Sequence, residues 1–149
     1  MKLHLVAVGK LRPAFRESCD DYLRRLGRFV AVAEREVKEA GRAATVARQR
    51  DDEGRLLLDA IPAQCRVVVL DQGGEGWTSE ALAQQLDDWR LAARDTALVI
   101  GGAAGLAPAV LARSDARWSL GPLTLPHELA RVIVAEQLYR ASTILRGEP

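Results

Sequence analysis

The sequence predicts an α/β domain with a mostly parallel sheet and helices on both faces, and three observations predict it. Two compact runs, Arg66–Leu70 (RVVVL) and Thr96–Ile100 (TALVI), are rich in β-branched residues and bounded by turn residues. Such runs suit central strands buried on both faces. Strand-like and helix-like segments alternate along the whole chain, the order from which parallel sheets with crossover helices are built. The length of 149 residues is that of one domain, residues 1–149, able to bury about 68–70% of its unfolded surface without staples.

Lys2–Val8 alternates, is rich in β-formers and stops at Gly9, so it reads as the first strand, with His4 packed on one face. Phe15, Cys19, Tyr22, Leu23 and Leu26 recur at helical spacing and make residues 14–27 an amphipathic helix ended by Gly27. Arg24, Arg25 and Arg28 cluster near its end, where a solvated face complementing the helix terminus and a phosphate contact both explain them. Val30–Val37 is a second strand, partly exposed because it carries Glu34, Arg35 and Glu36. Residues 42–60 form a helix with a loose apolar face, closed by Ile61-Pro62.

After the Arg66–Leu70 strand comes a glycine-rich loop, Asp71 to Trp77, and then Thr78 caps a helix with Leu82, Leu86, Trp89 and Ala93 on one face. The Thr96–Ile100 strand runs into Gly101-Gly102-Ala103-Ala104-Gly105. A short helix begins near Pro108, and Arg117–Leu120 is the last strand. Gly121-Pro122 then forces a turn, and Pro126 suits the first residue of a helix capped by Thr124 or Leu125. That helix, Pro126 to Leu145, is apolar almost all round between Leu129 and Leu138, so burial by its own domain and by a second subunit is expected. Arg131 and Arg140 are expected within a quarter turn of each other on it.

Composition narrows the class. Apolar residues at 48% and charged residues at 28% exclude disorder. A net charge of +1 means that a nucleic-acid partner must be met by a local arginine patch rather than by the overall field. Cys19 and Cys65 lack any metal-ligand or redox spacing and read as buried thiols. With only His4 and His127 as histidines, no metal is expected. Neither a secretion signal nor a membrane-spanning run is present, so a cytoplasmic location is expected.

In open parallel sheets, ligands bind beyond the carboxyl ends of strands. Three loops leave such ends: after Leu70, after Ile100 and after Leu120. Gly101 and Gly102 lack side chains, so a flat ligand such as adenine could lie against their backbone. Neither a dinucleotide fingerprint nor a phosphate-cradling P-loop has the right spacing here.

The segments LHLVAVGK, VVLD, LVIGGAAGL and WSLGPLTLPHELARVIVAEQLYRA together resemble, nearly end to end, the small bacterial SPOUT methyltransferases of the RlmH family. These are pseudouridine-N3 methyltransferases of large-subunit rRNA. The resemblance implies a SPOUT-type trefoil-knotted domain and a homodimer formed partly by the last helix. It implies S-adenosylmethionine as methyl donor, held by Leu70, by Gly101, and by Leu120, Gly121, Pro122, Leu123, Thr124 and Leu125. The implied substrate is 23S rRNA in the large subunit or the assembled ribosome. His127 and Arg140 are the candidates for the substrate side, Arg131 for a structural role, and Glu136 for an acid pairing with Arg140 or Arg131. Members of the family carry a short tail containing Tyr-His-Arg beyond the last helix, whereas this sequence stops at Gly147-Glu148-Pro149. The tail is either trimmed here or missing; if it is missing, donor binding is expected to survive and RNA methylation to suffer. Two other readings stay open: a non-enzymatic ribosome- or RNA-binding module using Arg24, Arg25 and Arg28, and a SPOUT methyltransferase acting on tRNA.

Overall fold

The computed structural model describes residues 1–149. Five strands, β1 (Lys2–Val8), β2 (Ala31–Val37), β3 (Arg66–Gly76), β4 (Thr96–Ile100) and β5 (Ala116–Ser119), alternate with five helices. These are α1 (Pro13–Leu26), α2 (Val46–Ala60), α3 (Ser79–Leu91), α4 (Pro108–Arg113) and α5 (His127–Leu145). The strands form one sheet in the order β2-β1-β4-β3-β5, and every pairing is parallel.

Side-chain alternation along the strands divides the core into two layers. Leu3, Leu5, Val68, Leu98 and Ile100 face α1, α3 and α5, whose Leu26, Leu86, Trp89, Val134 and Leu138 complete the larger cluster. Val6, Val8, Val67, Val69 and Val99 face α2 and α4 through Leu57, Ala60 and Val110. The runs expected to be central strands are central: β4 is buried at every position, and Val67, Val68 and Val69 of β3 are fully buried.

Three boundaries differ from the sequence reading for identifiable reasons. The glycine-rich segment after Leu70 is not only a loop, because β3 bulges out after Leu70 and rejoins β5 at Glu75 and Gly76. Gly74 makes that return possible: a Cβ there would lie 2.6 Å from the carbonyl of Arg117. Pro126 is the N-cap of α5 rather than its first residue, with an extended ψ of 139° and no side-chain cap, so neither Thr124 nor Leu125 caps the helix. The α2 helix starts at Val46, where the Thr45 hydroxyl accepts a hydrogen bond from the Arg48 N–H; nothing caps the segment from residue 42.

Candidate active site

The carboxyl ends of β4, β3 and β5 lie side by side in the sheet, so the three loops singled out by position converge. Between them is a cavity of about 310 Å³, within the roughly 300–1,000 Å³ range of small-molecule sites. Leu70, Gly101, Leu120, Gly121, Leu123, Thr124, Leu125 and His127 all line it. Pro122 lies exposed in the same loop but outside the lining. Asp71, Gln72, Ile100, Leu106, Trp118, Ser119 and Ala130 also contribute, and the sequence reading did not single them out.

The loop after β5 is shaped by local bonding. The Ser119 hydroxyl accepts the Gly121 N–H at 3.1 Å and lies 3.3 Å from the Gly121 carbonyl. Gly121 takes a φ of +120°, in the region that disfavours side chains. This tight turn turns Leu123 outward, 75% exposed at the mouth of the cavity. Trp118 is buried beneath it and stacks on Trp77, with ring centroids 5.5 Å apart.

The glycines after β4 also serve the packing of their own loop. A Cβ on Gly101 would meet the Gly105 backbone at 3.0 Å, and one on Gly102 would meet Val8 at 3.0 Å. The Gly102 position faces Val8 in the core, and the Gly101 position faces Gly105 and Leu106, which also line the cavity. The missing side chains therefore let the loop fold back on itself, as the Gly105 N–H to Gly102 carbonyl bond of 3.0 Å shows. The result is that bare backbone still lines the cavity.

His127, the first residue of α5, and Asp71 are the only titratable side chains in the lining. Arg140 is thirteen residues further along, about 20 Å by helical rise. It is exposed and donates to Glu136 Oε2 at 2.9 Å, the expected i,i+4 pair. One chain does not bring His127 and Arg140 together. Nor are Arg131 and Arg140 on one side of the helix: nine residues make about two and a half turns, and Arg131 is 1% exposed where Arg140 faces solvent. Arg131 donates to the Val8 and Gly9 carbonyls at 3.2 and 3.0 Å and pairs with Glu34 and Glu36, which is the structural role expected of it.

Both cysteines are buried. Burial, followed by the nearby Glu34 charge, pushes the Cys19 thiol up to about 12. At the opposite end of the sheet from the cavity, His4, Cys65 and Asp95 bring ligand-type atoms within 4.8 Å of one another, a grouping that sequence spacing does not reveal. Asp95 is already engaged there, accepting the Lys2 N–H at 2.9 Å and meeting His4 Nε2 at 3.2 Å. Those contacts, the Lys2 N–H first, lower its carboxyl from the ordinary value.

Comparison with known proteins agrees with this architecture. A family profile described as "Predicted SPOUT methyltransferase" matches residues 1–149, and the chain belongs to that family of SPOUT methyltransferases. It is 44% identical over 152 aligned residues to the ribosomal RNA large subunit methyltransferase H of Thioalkalivibrio sulfidiphilus, covering 100% of this chain and 97% of that protein. Identity to the protein of the same name from Anaeromyxobacter dehalogenans is 47%, covering 100% and 98%. Among solved structures, a methylase family protein from Haemophilus influenzae superposes with a TM-score of 0.59 at 11% identity, covering 97% of this chain and 68% of that one. A structure concerned with 2-OH methylation of C/U34 on tRNA gives 0.51 at 17% identity, covering 99% and 98%. Likeness at these identities concerns the fold. No helix is long and apolar enough to cross a membrane.

Proposed function

We propose that this chain transfers a methyl group from S-adenosylmethionine to N3 of a pseudouridine in 23S rRNA. It acts as a homodimer on the large subunit or the assembled ribosome, in the cytoplasm. The observation that carries the reading is the convergence of three separately expected loops on one cavity. It occurs in a chain 44% and 47% identical, over its full length, to proteins named ribosomal RNA large subunit methyltransferase H.

The residues present fit the donor. Leu70, Leu123 and Leu125 offer apolar walls for an adenine and a thioether, and the exposed backbone around Gly101 offers N–H and C=O groups to an adenine edge. Asp71, the only carboxylate in the lining, favours a positively charged ligand. When bound, the donor supplies an electrophilic methyl carbon on a sulfonium sulfur. On transfer an N3–carbon bond would form as the carbon–sulfur bond broke, and the imide proton would pass to a base. His127 stands at the mouth with an imidazole able to take that proton or to hydrogen-bond the developing anion. Most of the acceleration comes from holding nitrogen and carbon together.

Arg140 reaches this chemistry through the dimer. Leu129, Ile133 and Glu136 form a half-buried stripe on α5, and Arg140 continues it, exposed. With the two-fold axis perpendicular to the stripe, the two helices run antiparallel. The end bearing Arg140 of the partner subunit then lies beside the start bearing His127.

A calorimetric titration with S-adenosylmethionine, followed by incubation with ribosomes lacking the modification and nucleoside mass spectrometry, tests the reading. Saturation near one donor per chain and appearance of N3-methylpseudouridine are expected. A folded chain that binds no donor would sink it in favour of a non-enzymatic RNA-binding module, and methyl transfer to tRNA alone would redirect it to another substrate.

A further inference from the structure

We propose that the surface formed by the ends of α1 and α5 is a docking site for single-stranded RNA, separate from the donor cavity, with arginines taking the phosphates over an aromatic floor. Arg24 and Arg25 lie in the last turn of α1, and Arg28 follows its C-cap, Gly27. With Asp21, Phe29 and Tyr139 they line a cavity of about 420 Å³. The floor is Phe29 stacked on Tyr139, centroids 6.4 Å apart and planes 19° apart. The Arg25 guanidinium lies 5.9 Å over the Tyr139 ring and 5.8 Å over Tyr22, and Arg146 lies 4.1 Å over Phe29.

Positive charge is concentrated at this surface. Arg16, Arg48, Arg55 and Arg90 each pair with carboxylates of their own neighbourhood, in keeping with a net charge of only +1. Here Arg24 and Arg25 share one carboxylate, Asp21, at 2.6 and 3.1 Å, while Arg28 makes no ion pair. The positive potential left over is local, which is how a nearly neutral protein meets a polyanion. Guanidiniums bind phosphate oxygens in pairs, and aromatic and guanidinium planes stack unpaired bases. A helix end alone would favour one or two cations; it gives no reason for a cluster laid over three aromatic rings.

Tyr139 is twelve residues from His127, about 18 Å along α5. Within one chain the surface therefore stands apart from the donor cavity, and in the antiparallel dimer proposed above it lies toward the partner subunit's cavity, where a bound strand flanks the nucleotide that enters. The identity of the RNA rests on the reading of the chain as an rRNA methyltransferase; the docking of a phosphodiester strand does not.

The test is anisotropy of a fluorescein-labelled, twenty-nucleotide single-stranded RNA against the full chain and its Arg24→Ala/Arg28→Ala variant, across a salt series. Both side chains are exposed and neither touches the donor cavity, so folding and donor affinity should be preserved. The variant should bind more weakly by about tenfold, with the slope of log affinity against log salt shallower by about 1.4 for two lost phosphate contacts. Equal affinity and slope would overturn the proposal, as would loss of the dimer by the variant in sedimentation, which would make the surface a protein interface. Calorimetry with S-adenosylmethionine on the same samples separates the two readings. A chain that binds RNA through these arginines but no donor keeps this site and loses the enzyme.

Discussion

Arg131 joins the two ends of the chain. It is buried in α5, and its guanidinium takes the carbonyls that end β1 and the carboxylates of Glu34 and Glu36 on β2. The same carboxylates accept from Arg16, at 2.6 Å to Glu34 and 2.7 Å to Glu36. Two cations and two anions are therefore held together, and removing Arg131 leaves both carboxylates to Arg16 alone and takes a donor from the Val8 and Gly9 carbonyls. Arg131→Ala is expected to cost about 3 kcal/mol, read as a lowered urea midpoint; an unchanged midpoint would mean that the network contributes nothing net. None of these partners is local to Arg131. In the sequence Glu34 and Glu36 only weakened a strand, because a pair spanning 95 residues or more leaves no trace in periodicity. His127 behaves differently, being placed by the start of a helix that the sequence does announce. His127→Ala should keep donor affinity and lower methyl transfer by roughly 10²–10⁴-fold, the usual contribution of a positioned proton acceptor. Full activity would remove it from the chemistry.

At the scale of elements, the junction between α1 and α5 fixes where the donor loop ends. Glu128 accepts the Arg12 N–H at 2.7 Å and Arg12 Nε at 2.9 Å, tying the start of α5 to the N-cap of α1. Those contacts, the backbone N–H first, hold the Glu128 carboxyl below its ordinary value of 4.5. A carboxyl lowered on folding stabilises the protein above the unfolded value and stops doing so as pH falls through the folded one. The wild type should accordingly melt higher than Glu128→Gln at pH 7, and the gap should close below about pH 4.5. A gap that stays constant with pH would assign the effect to shape and not to charge. Strands and helices were legible here because their periodicities are local and strong, as in β4 and α3. The extension of β3 was not, because Gly73, Gly74 and Gly76 read as loop, and only the return of Glu75 and Gly76 to β5 makes the segment a strand. The donor cavity was legible by its loops, which leave strand ends. Trp118, Ser119 and Ile100 line it from within strands, where a core position and a pocket position look alike.

For the molecule as a whole, the half-buried stripe on α5 carries the proposed dimer. Ile133→Asp places a charge in its middle and is expected to give a monomer in sedimentation that binds donor but transfers no methyl group. A monomeric wild type, or a fully active monomeric variant, would rule out completion of the site by Arg140 of the partner subunit. The place of α5 in the chain has a consequence of its own. It follows β1 to β5 and α1 to α4 in the chain, yet it packs against both α1 and α3, and its residues Val134, Leu138 and Ala141 close the larger core cluster. A nascent chain that has everything except α5 presents Leu26, Leu86 and Trp89 uncovered and has no His127 wall to its cavity. Core closure and the donor site therefore arrive together with α5, and a chain cut short before this helix is an inactive, aggregation-prone fragment instead of a weakened enzyme.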